Sequence, residues 1–309
     1  MGAVRRSVPA NPRTFARPLG ALAAVAIGAA GCDPQILVGA DPTLEEAGAQ
    51  TTVTVTIDAG AGPDASFEAG PSLDGSVDAA AVADGALAAL LVPWSTGFES
   101  GGFGDWDAGQ GLGYCYVEGS AMYTIVTSPV HSGQYAAAFS INTAGGSPAT
   151  PSQARCVRQG ILPPAAYYGA WYYVPAAATG VVNWNLLHFT GGDGPDASDI
   201  HGLWDVSLTS LSSTSLASEA YDFLDTTTLD GGMAIPIGQW FHLEVFLQPA
   251  ADGGGAFTLM QNGQVVAGVS GVETADAPWG QWYVGNFASS LSPTTSTVYV
   301  DDVTIGTTP

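Results

Sequence analysis

From Trp94 onward, apolar and polar residues alternate in short runs separated by Gly, Pro, Ser and Asn clusters. A period of two sends successive side chains to opposite faces of a sheet, so each run predicts a half-buried β-strand. The candidate strands are 95–99, 113–117, 122–126, 134–141, 153–159, 167–174 and 182–189. Those further on are 202–209, 220–224, 240–247, 256–261, 264–269, 281–287 and 296–305. Tyr135, Ala137, Phe139 and Ile141 form one apolar face; Phe241, Leu243, Val245 and Leu247 form another. Asn262-Gly263 between two alternating runs predicts a type I′ hairpin, because both central residues need positive φ. No amphipathic helix of three or more turns is present. The fold class is therefore all-β, a two-sheet antiparallel sandwich in one domain over 94–309.

The pattern is lost before Trp94. Residues 33–93 are dominated by Ala, Gly, Asp, Pro, Ser and Thr with no basic residue, and the run from Gly60 to Gly85 has almost no large apolar side chain. Such a run cannot offset the entropy of ordering, so 32–93 is expected to be a flexible acidic linker. Within it Thr51–Ile57 alternates like an isolated strand, and Asp84–Leu91 predicts one or two helical turns capped by Asp84. Further upstream, Arg5, Arg6, Arg13 and Arg17 precede an apolar run, Leu19–Ala30, too short to span a bilayer. Residues 1–31 thus predict a signal segment. It ends in Ala29-Ala30-Gly31-Cys32, which resembles the lipobox of bacterial lipoproteins. That resemblance implies lipidation of Cys32 and an exported protein anchored to a bacterial membrane, at the outer membrane or cell surface. Each buried methylene of such an anchor contributes about 0.8 kcal/mol.

Charge narrows the partners. The formal net charge is -22, there is no lysine, and beyond the signal segment the only basic residues are Arg155 and Arg158. Such a surface repels nucleic acid and anionic headgroups, leaving the lipid as the only membrane contact. Cys115 and Cys156 remain after Cys32, and an even pair in an oxidising compartment predicts a disulfide.

Three segments carry a further resemblance: Gly238–Val266 (GQWFHLEVFLQPAADGGGAFTLMQNGQVV), Gly97–Asp107 (GFESGGFGDWD) and Thr297–Ile305 (TVYVDDVTI). Together they resemble concanavalin A-like domains, a group that includes laminin-G-like modules, lectins and polysaccharide lyases. The resemblance implies a jelly roll whose concave face or loops bind glycans.

Candidate chemistry falls in three places. Glu99, Asp301 and Asp302 are expected to meet if the first and last strands are neighbours. With carbonyls of Ser100–Gly104 they offer oxygens to a structural Ca²⁺, which related modules carry at that place. For glycan binding, Tyr168, Tyr172, Trp184, Trp204, Trp240, Trp282 and Tyr283 supply a stacking platform, half or more of it expected in the core. Asn183, Trp184, Asn185 and His188 join Tyr168 and Tyr172 as the binding set, with Tyr167–Phe189 forming two strands of one curved sheet. For catalysis, no Glu-x-Asp-x-x-Glu strand is present. NWNLLHFTG resembles the lyase strand that holds a Gln and a His, but only His188 stands here. With two arginines in the exported chain, electrostatics argue against an anionic substrate. Tyr172, His188 and Glu244 are the residues to watch as acid or base. His131, His201 and His242 show no metal-ligand spacing. The sequence reads as a lipid-anchored, non-catalytic binder of neutral carbohydrate. A polysaccharide lyase or glycoside hydrolase of the same fold, or an adhesive surface protein with a protein partner, is the alternative.

Overall fold

The computed structural model describes residues 88–107, 112–147, 150–195 and 200–309. The signal segment, Cys32, the linker through residue 87, and the strand-like 51–57 lie outside these residues. Of the helical turns expected over 84–91, the described part is extended instead. Ala89 bridges Ile161, and the Leu90 N–H donates to the Ile161 carbonyl at 2.9 Å.

Among the described residues there are seventeen strands. The first six are β1 (Trp94–Thr96), β2 (Gly113–Glu118), β3 (Ser120–Val126), β4 (Ala136–Asn142), β5 (Ser152–Ile161) and β6 (Ala166–Tyr173). Next come β7 (Thr179–Val182), β8 (Trp184–Gly192), β9 (His201–Ser212), β10 (Ser215–Asp222), β11 (Thr227–Ala234) and β12 (Trp240–Gln248). The last are β13 (Gly255–Gln261), β14 (Gln264–Val272), β15 (Trp279–Ala288), β16 (Ser290–Ser292) and β17 (Thr295–Gly306). One sheet runs β14-β13-β12-β6-β17-β4-β3, with β1 also paired to β17; the other runs β11-β10-β9-β8-β15-β5-β2. All these pairings are antiparallel. The architecture is the two-sheet jelly-roll sandwich.

Alternation decides what lies between the sheets. From the first sheet Phe139, Tyr168, Tyr172, Phe241, Leu243, Val245 and Phe257 are fully buried; from the second come Trp184, Phe189, Trp204, Val206 and Trp282. Cross-sheet ring contacts close the layer: Trp204 stacks on Phe257 at 4.1 Å, and Tyr168 meets Trp282 at 5.3 Å. Each large side chain buried here contributes about 1.5–3 kcal/mol. The Asn262-Gly263 hairpin forms between β13 and β14, with φ of 51° and 74°.

One expectation is corrected. β6 and β8, the two aromatic strands of Tyr167–Phe189, are not neighbours in one sheet but face each other from opposite sheets. The connecting strand β7 pairs with β16 in a separate two-stranded ribbon and carries the chain across the sandwich. The Tyr172 hydroxyl then donates across the core to the Leu186 carbonyl at 3.2 Å.

Cys115 and Cys156 sit directly opposite on β2 and β5 and are joined as a disulfide, 41 residues apart in sequence. In the chain-entropy model a loop of that length contributes about 4 kcal/mol, and the bond holds edge strand β2 to its sheet. Reduction, or the double Cys→Ser variant, is expected to lower the denaturant-derived unfolding free energy by roughly that amount. A change within error would mean that β2 is held by its ladder alone.

Candidate functional site

The second sheet buries one face and leaves the other, outer, face rich in polar and aromatic groups. Strand register fixes which residues share it. Tyr221, Asp205, His188, Tyr283, Val157 and Tyr114 form one row across β10, β9, β8, β15, β5 and β2. Arg155 lies opposite Tyr116 on one side and Gly285 on the other. Gly285 lets the strands approach there, since a Cβ at that position would lie 2.8 Å from the Arg155 Cα.

Strict alternation would put Asn185 and His188, three residues apart, on opposite faces. The β8 ladder breaks register at Leu186–Leu187, against both β9 and β15. Leu186 and Leu187 are both buried in the core. This bulge returns His188 to the face that holds Asn185, as bulges near functional sites commonly re-aim a side chain.

The face is a connected hydrogen-bond network. The Arg155 guanidinium donates to the Asn185 carbonyl oxygen, and the Asn185 amide donates to Asp205 Oδ1 at 2.7 Å. The same carboxylate oxygen pairs with His188 Nδ1. Arg155 is 6% exposed and also lies over the rings of Phe287 (4.3 Å) and Tyr283 (5.4 Å). Among the described residues no carboxylate pairs with it directly; Asn185 stands between it and Asp205. A buried guanidinium held by an amide, the Tyr116 hydroxyl and π faces, with no carboxylate directly on it, retains capacity for an anion.

Beside this line, the Tyr283 hydroxyl donates to Gln281. Thr190 donates to the same Gln281 oxygen at 3.0 Å, and the Gln281 amide donates to Gln159 at 2.6 Å. Burial pushes the Tyr283 hydroxyl well above the ordinary phenol value, with Tyr116 and Tyr114 adding to the rise. Burial likewise raises Tyr116, and lifts Tyr114 to about 12. These phenols therefore stay protonated at neutral pH. Phe223 and Tyr283 flank the His188 ring at 6.0 and 5.4 Å. Tyr114, Tyr116, Tyr221 and Phe223 are part-exposed and rim the face.

Of the predicted binding set, Asn185 and His188 are in this network. Tyr168, Tyr172 and Trp184 are not: each is a core residue without surface to offer a ligand, and Trp184 Nε1 donates to Asn286 at 2.9 Å. For the same reason Tyr172 is removed as an acid or base. Asn183 is a turn residue at φ 51° between β7 and β8. Arg155, Asp205, Gln281 and the role of Tyr283 were missed. The pattern Gln153-x-Arg155-x-x-x-Gln159 on one strand face was the available signal for the first.

The three metal candidates do converge, around Gly97, where a Cβ would lie 3.1 Å from Asp302, 3.7 Å from Glu99 and 3.8 Å from Asp301. Their oxygens are engaged by donors of the segment 131–135. Glu99 accepts the Gln134 and Tyr135 N–H groups, Asp301 accepts those of His131 and Ser132, and Asp302 accepts the Ser132 hydroxyl and pairs with His131. Among the described residues no group of three or more His, Cys, Asp or Glu is arranged to hold a metal ion. These bonds tie the segment 131–135 to the three carboxylates.

Glu244 lies on the other sheet, remote from His188. With His242, Tyr167, Trp171 and Asp302 it lines a separate pocket of about 530 Å³. Glu244 is 7% exposed and takes no hydrogen bond from any described residue. Burial raises its carboxyl above the usual value of 4.5. The folded state therefore binds this proton more tightly than the unfolded chain. That stabilising contribution is full below about pH 4.5 and is lost as pH rises through the raised value. Glu244→Gln is expected to gain thermal stability over the wild type progressively above that pH. A melting difference that is constant from pH 4 to 8 would contradict an unpartnered buried carboxylate.

No protein-family model matches this chain, and no curated protein sequence does. Among solved structures, an endo-β-1,4-glucuronan lyase from the fungus Trichoderma reesei aligns at 17% identity and a TM-score of 0.49, over 64% of this chain and 92% of its own. Cellulose induced protein Cip1 gives 17% and 0.48, over 69% and 97%. The PL-14 alginate lyase from Aplysia kurodai gives 12% and 0.48, over 69% and 97%. At this level the likeness concerns architecture alone.

Proposed function

We propose that the outer face of the seven-stranded sheet carries out β-elimination on a uronate-containing polysaccharide. The observation that carries this reading is the linked line Arg155–Asn185–Asp205–His188 with Tyr283 beside it. The count of two arginines argued for a neutral ligand. One desolvated guanidinium at the reacting centre weighs more than net charge, because a charge acts most strongly where water is excluded.

The roles follow from the bonding. A substrate carboxylate would sit on Arg155 and the Asn185 amide, and neutralising it makes the adjacent C5 proton easier to remove. Asp205 holds His188 through Nδ1, which leaves the Nε2 lone pair as general base. As the C5–H bond breaks, its electrons form the C4=C5 double bond, and the C4–O bond breaks. Tyr283, kept protonated by burial, gives its proton to the departing oxygen. The imidazolium of His188 then returns a proton to the phenolate through solvent. Asp205 is a positioning residue.

A second reading, binding without turnover, is favoured by the part-exposed rim of Tyr114, Tyr116, Tyr221 and Phe223, on which a sugar face can stack. The assay that separates the two follows the ultraviolet absorbance of unsaturated uronate released from uronic acid polymers. Elimination predicts turnover, with His188→Ala and Tyr283→Phe each slower by about 10²–10⁴-fold while binding is retained. No unsaturated product from any uronate polymer, or a rate indifferent to both substitutions, would contradict elimination.

We also propose that the chain is exported and tethered by lipid on Cys32, on the strength of the Ala29-Ala30-Gly31-Cys32 sequence. Metabolic labelling with palmitate is expected to mark the wild type and to miss Cys32→Ala. Equal labelling of both would overturn the tether.

A further inference from the structure

We infer that the outer face of the first sheet holds a second binding site, centred on Glu244, for a sugar that carries a primary ammonium group. The site lies on the other sheet from the elimination face and does not depend on that reading. Strand register builds it. The row Ser95, Thr304, Gly169, Glu244, Met260 crosses β1, β17, β6, β12 and β13. Gly169 leaves a gap in the middle of this row, between Tyr167 and Trp171, which share its face of β6. A Cβ at Gly169 would lie 2.8 Å from His242 Nε2 and 3.3 Å from Thr304 Oγ1, so imidazole and hydroxyl converge over bare backbone. His242 and Glu244, two residues apart, share the outer face of β12, while Phe241, Leu243 and Val245 fill the core.

Glu244 carries the inference. It is 7% exposed, lines the pocket of about 530 Å³, and has no hydrogen-bond or ion-pair partner among the described residues. Its oxygens are not sealed from outside, so the surface they keep opens on the pocket. A carboxylate largely removed from water without a donor is costly, and a ligand that supplies one recovers that cost. The pocket's other acid, Asp302, is already held by His131 and the Ser132 hydroxyl. His242 brings no charge: burial, with His131 beside it, lowers its pKa and keeps the ring neutral. Among the described residues no arginine or lysine lines the pocket. An ammonium group provides the missing positive charge together with three donors, for Glu244, for a neutral imidazole nitrogen and for the Thr304 hydroxyl oxygen. The volume suits a ligand of monosaccharide size. The Ser95 and Thr304 hydroxyls can meet ring hydroxyls, and Tyr167, Pro93 and Pro309 offer apolar wall to the C–H face. Trp171 is covered by His131, stacked at 3.8 Å, and tilts against His242 at 5.3 Å, so it shapes the pocket rather than stacking on the ligand.

The test is an NMR titration of the full-length protein with a matched pair, 6-amino-6-deoxyglucose and glucose, at about pH 7, where an alkyl amine is protonated. A hydrogen bond to a charged group predicts that the amino sugar binds about tenfold tighter or more. Glu244→Gln keeps the shape of the side chain and removes its charge, and is expected to abolish that preference. Asp225→Asn, at an exposed acid in the turn between β10 and β11 of the other sheet, is expected to leave it unchanged. n-Butylamine, an ammonium without a sugar body, is expected to bind more weakly than the amino sugar. Equal affinity for the matched pair, or a preference that survives Glu244→Gln, overturns the site. n-Butylamine binding as tightly as the amino sugar overturns the assignment to a sugar. Each of these results is read without turnover, so release of unsaturated uronate by wild type and Glu244→Gln alike judges the elimination reading separately.

Discussion

A guanidinium taken out of water has to be compensated, and the outer face of the second sheet is arranged around that requirement. Among the described residues Arg155 meets no carboxylate directly; an amide, the Tyr116 hydroxyl, two ring faces and, one residue further, Asp205 share the task. A direct ion pair would have spent the cation inside the protein. Interposing Asn185 leaves Arg155 partly uncompensated and also delivers Asp205 to His188. On the proposed elimination, one chain of hydrogen bonds would set the anion site and the orientation of the base together. Removing Asn185 would be expected to disturb both.

The sandwich supplies the rigidity this needs. β8, β15 and β5 are interior strands of their sheet, so Asn185, His188, Tyr283 and Arg155 project from backbone laddered on both sides. Behind them lie Trp184, Phe189 and Trp282, all fully buried. The bulge at Leu186–Leu187 sends two consecutive leucines into that core, and the core's demand for them is what turns His188 outward. Packing on one face determines which side chains the other presents. The disulfide extends the same logic to the edge, fixing β2 and with it Tyr114, Tyr116 and Glu118.

Strand positions, the Asn262-Gly263 hairpin and the sandwich itself were legible because each rests on local alternation or turn chemistry. The meeting of β1 with β17 was legible from resemblance, and the carboxylates at Glu99, Asp301 and Asp302 do gather there. Their partners were not, since nothing local in His131–Tyr135 announces that its N–H groups turn toward acids far along the chain. Which face each aromatic takes was only half readable. Tyr168 and Tyr172 obey alternation and are core; His188 reaches the site because the bulge breaks alternation. Assigning β6 and β8 to one sheet failed because a short ribbon, β7 with β16, carries the connection across the sandwich. Arg155 was visible in sequence but weighed by count rather than by place.

The proposed elimination breaks the sugar chain by loss of a C5 proton to His188 rather than by addition of water. Mass spectrometry of the fragments from one defined uronate-containing oligosaccharide tests this most directly. Elimination predicts that the fragment masses sum to that of the intact substrate, with an unsaturated sugar at the new non-reducing end. Fragments whose sum exceeds it by one water, or a substrate recovered whole after prolonged incubation with wild-type protein, would contradict it.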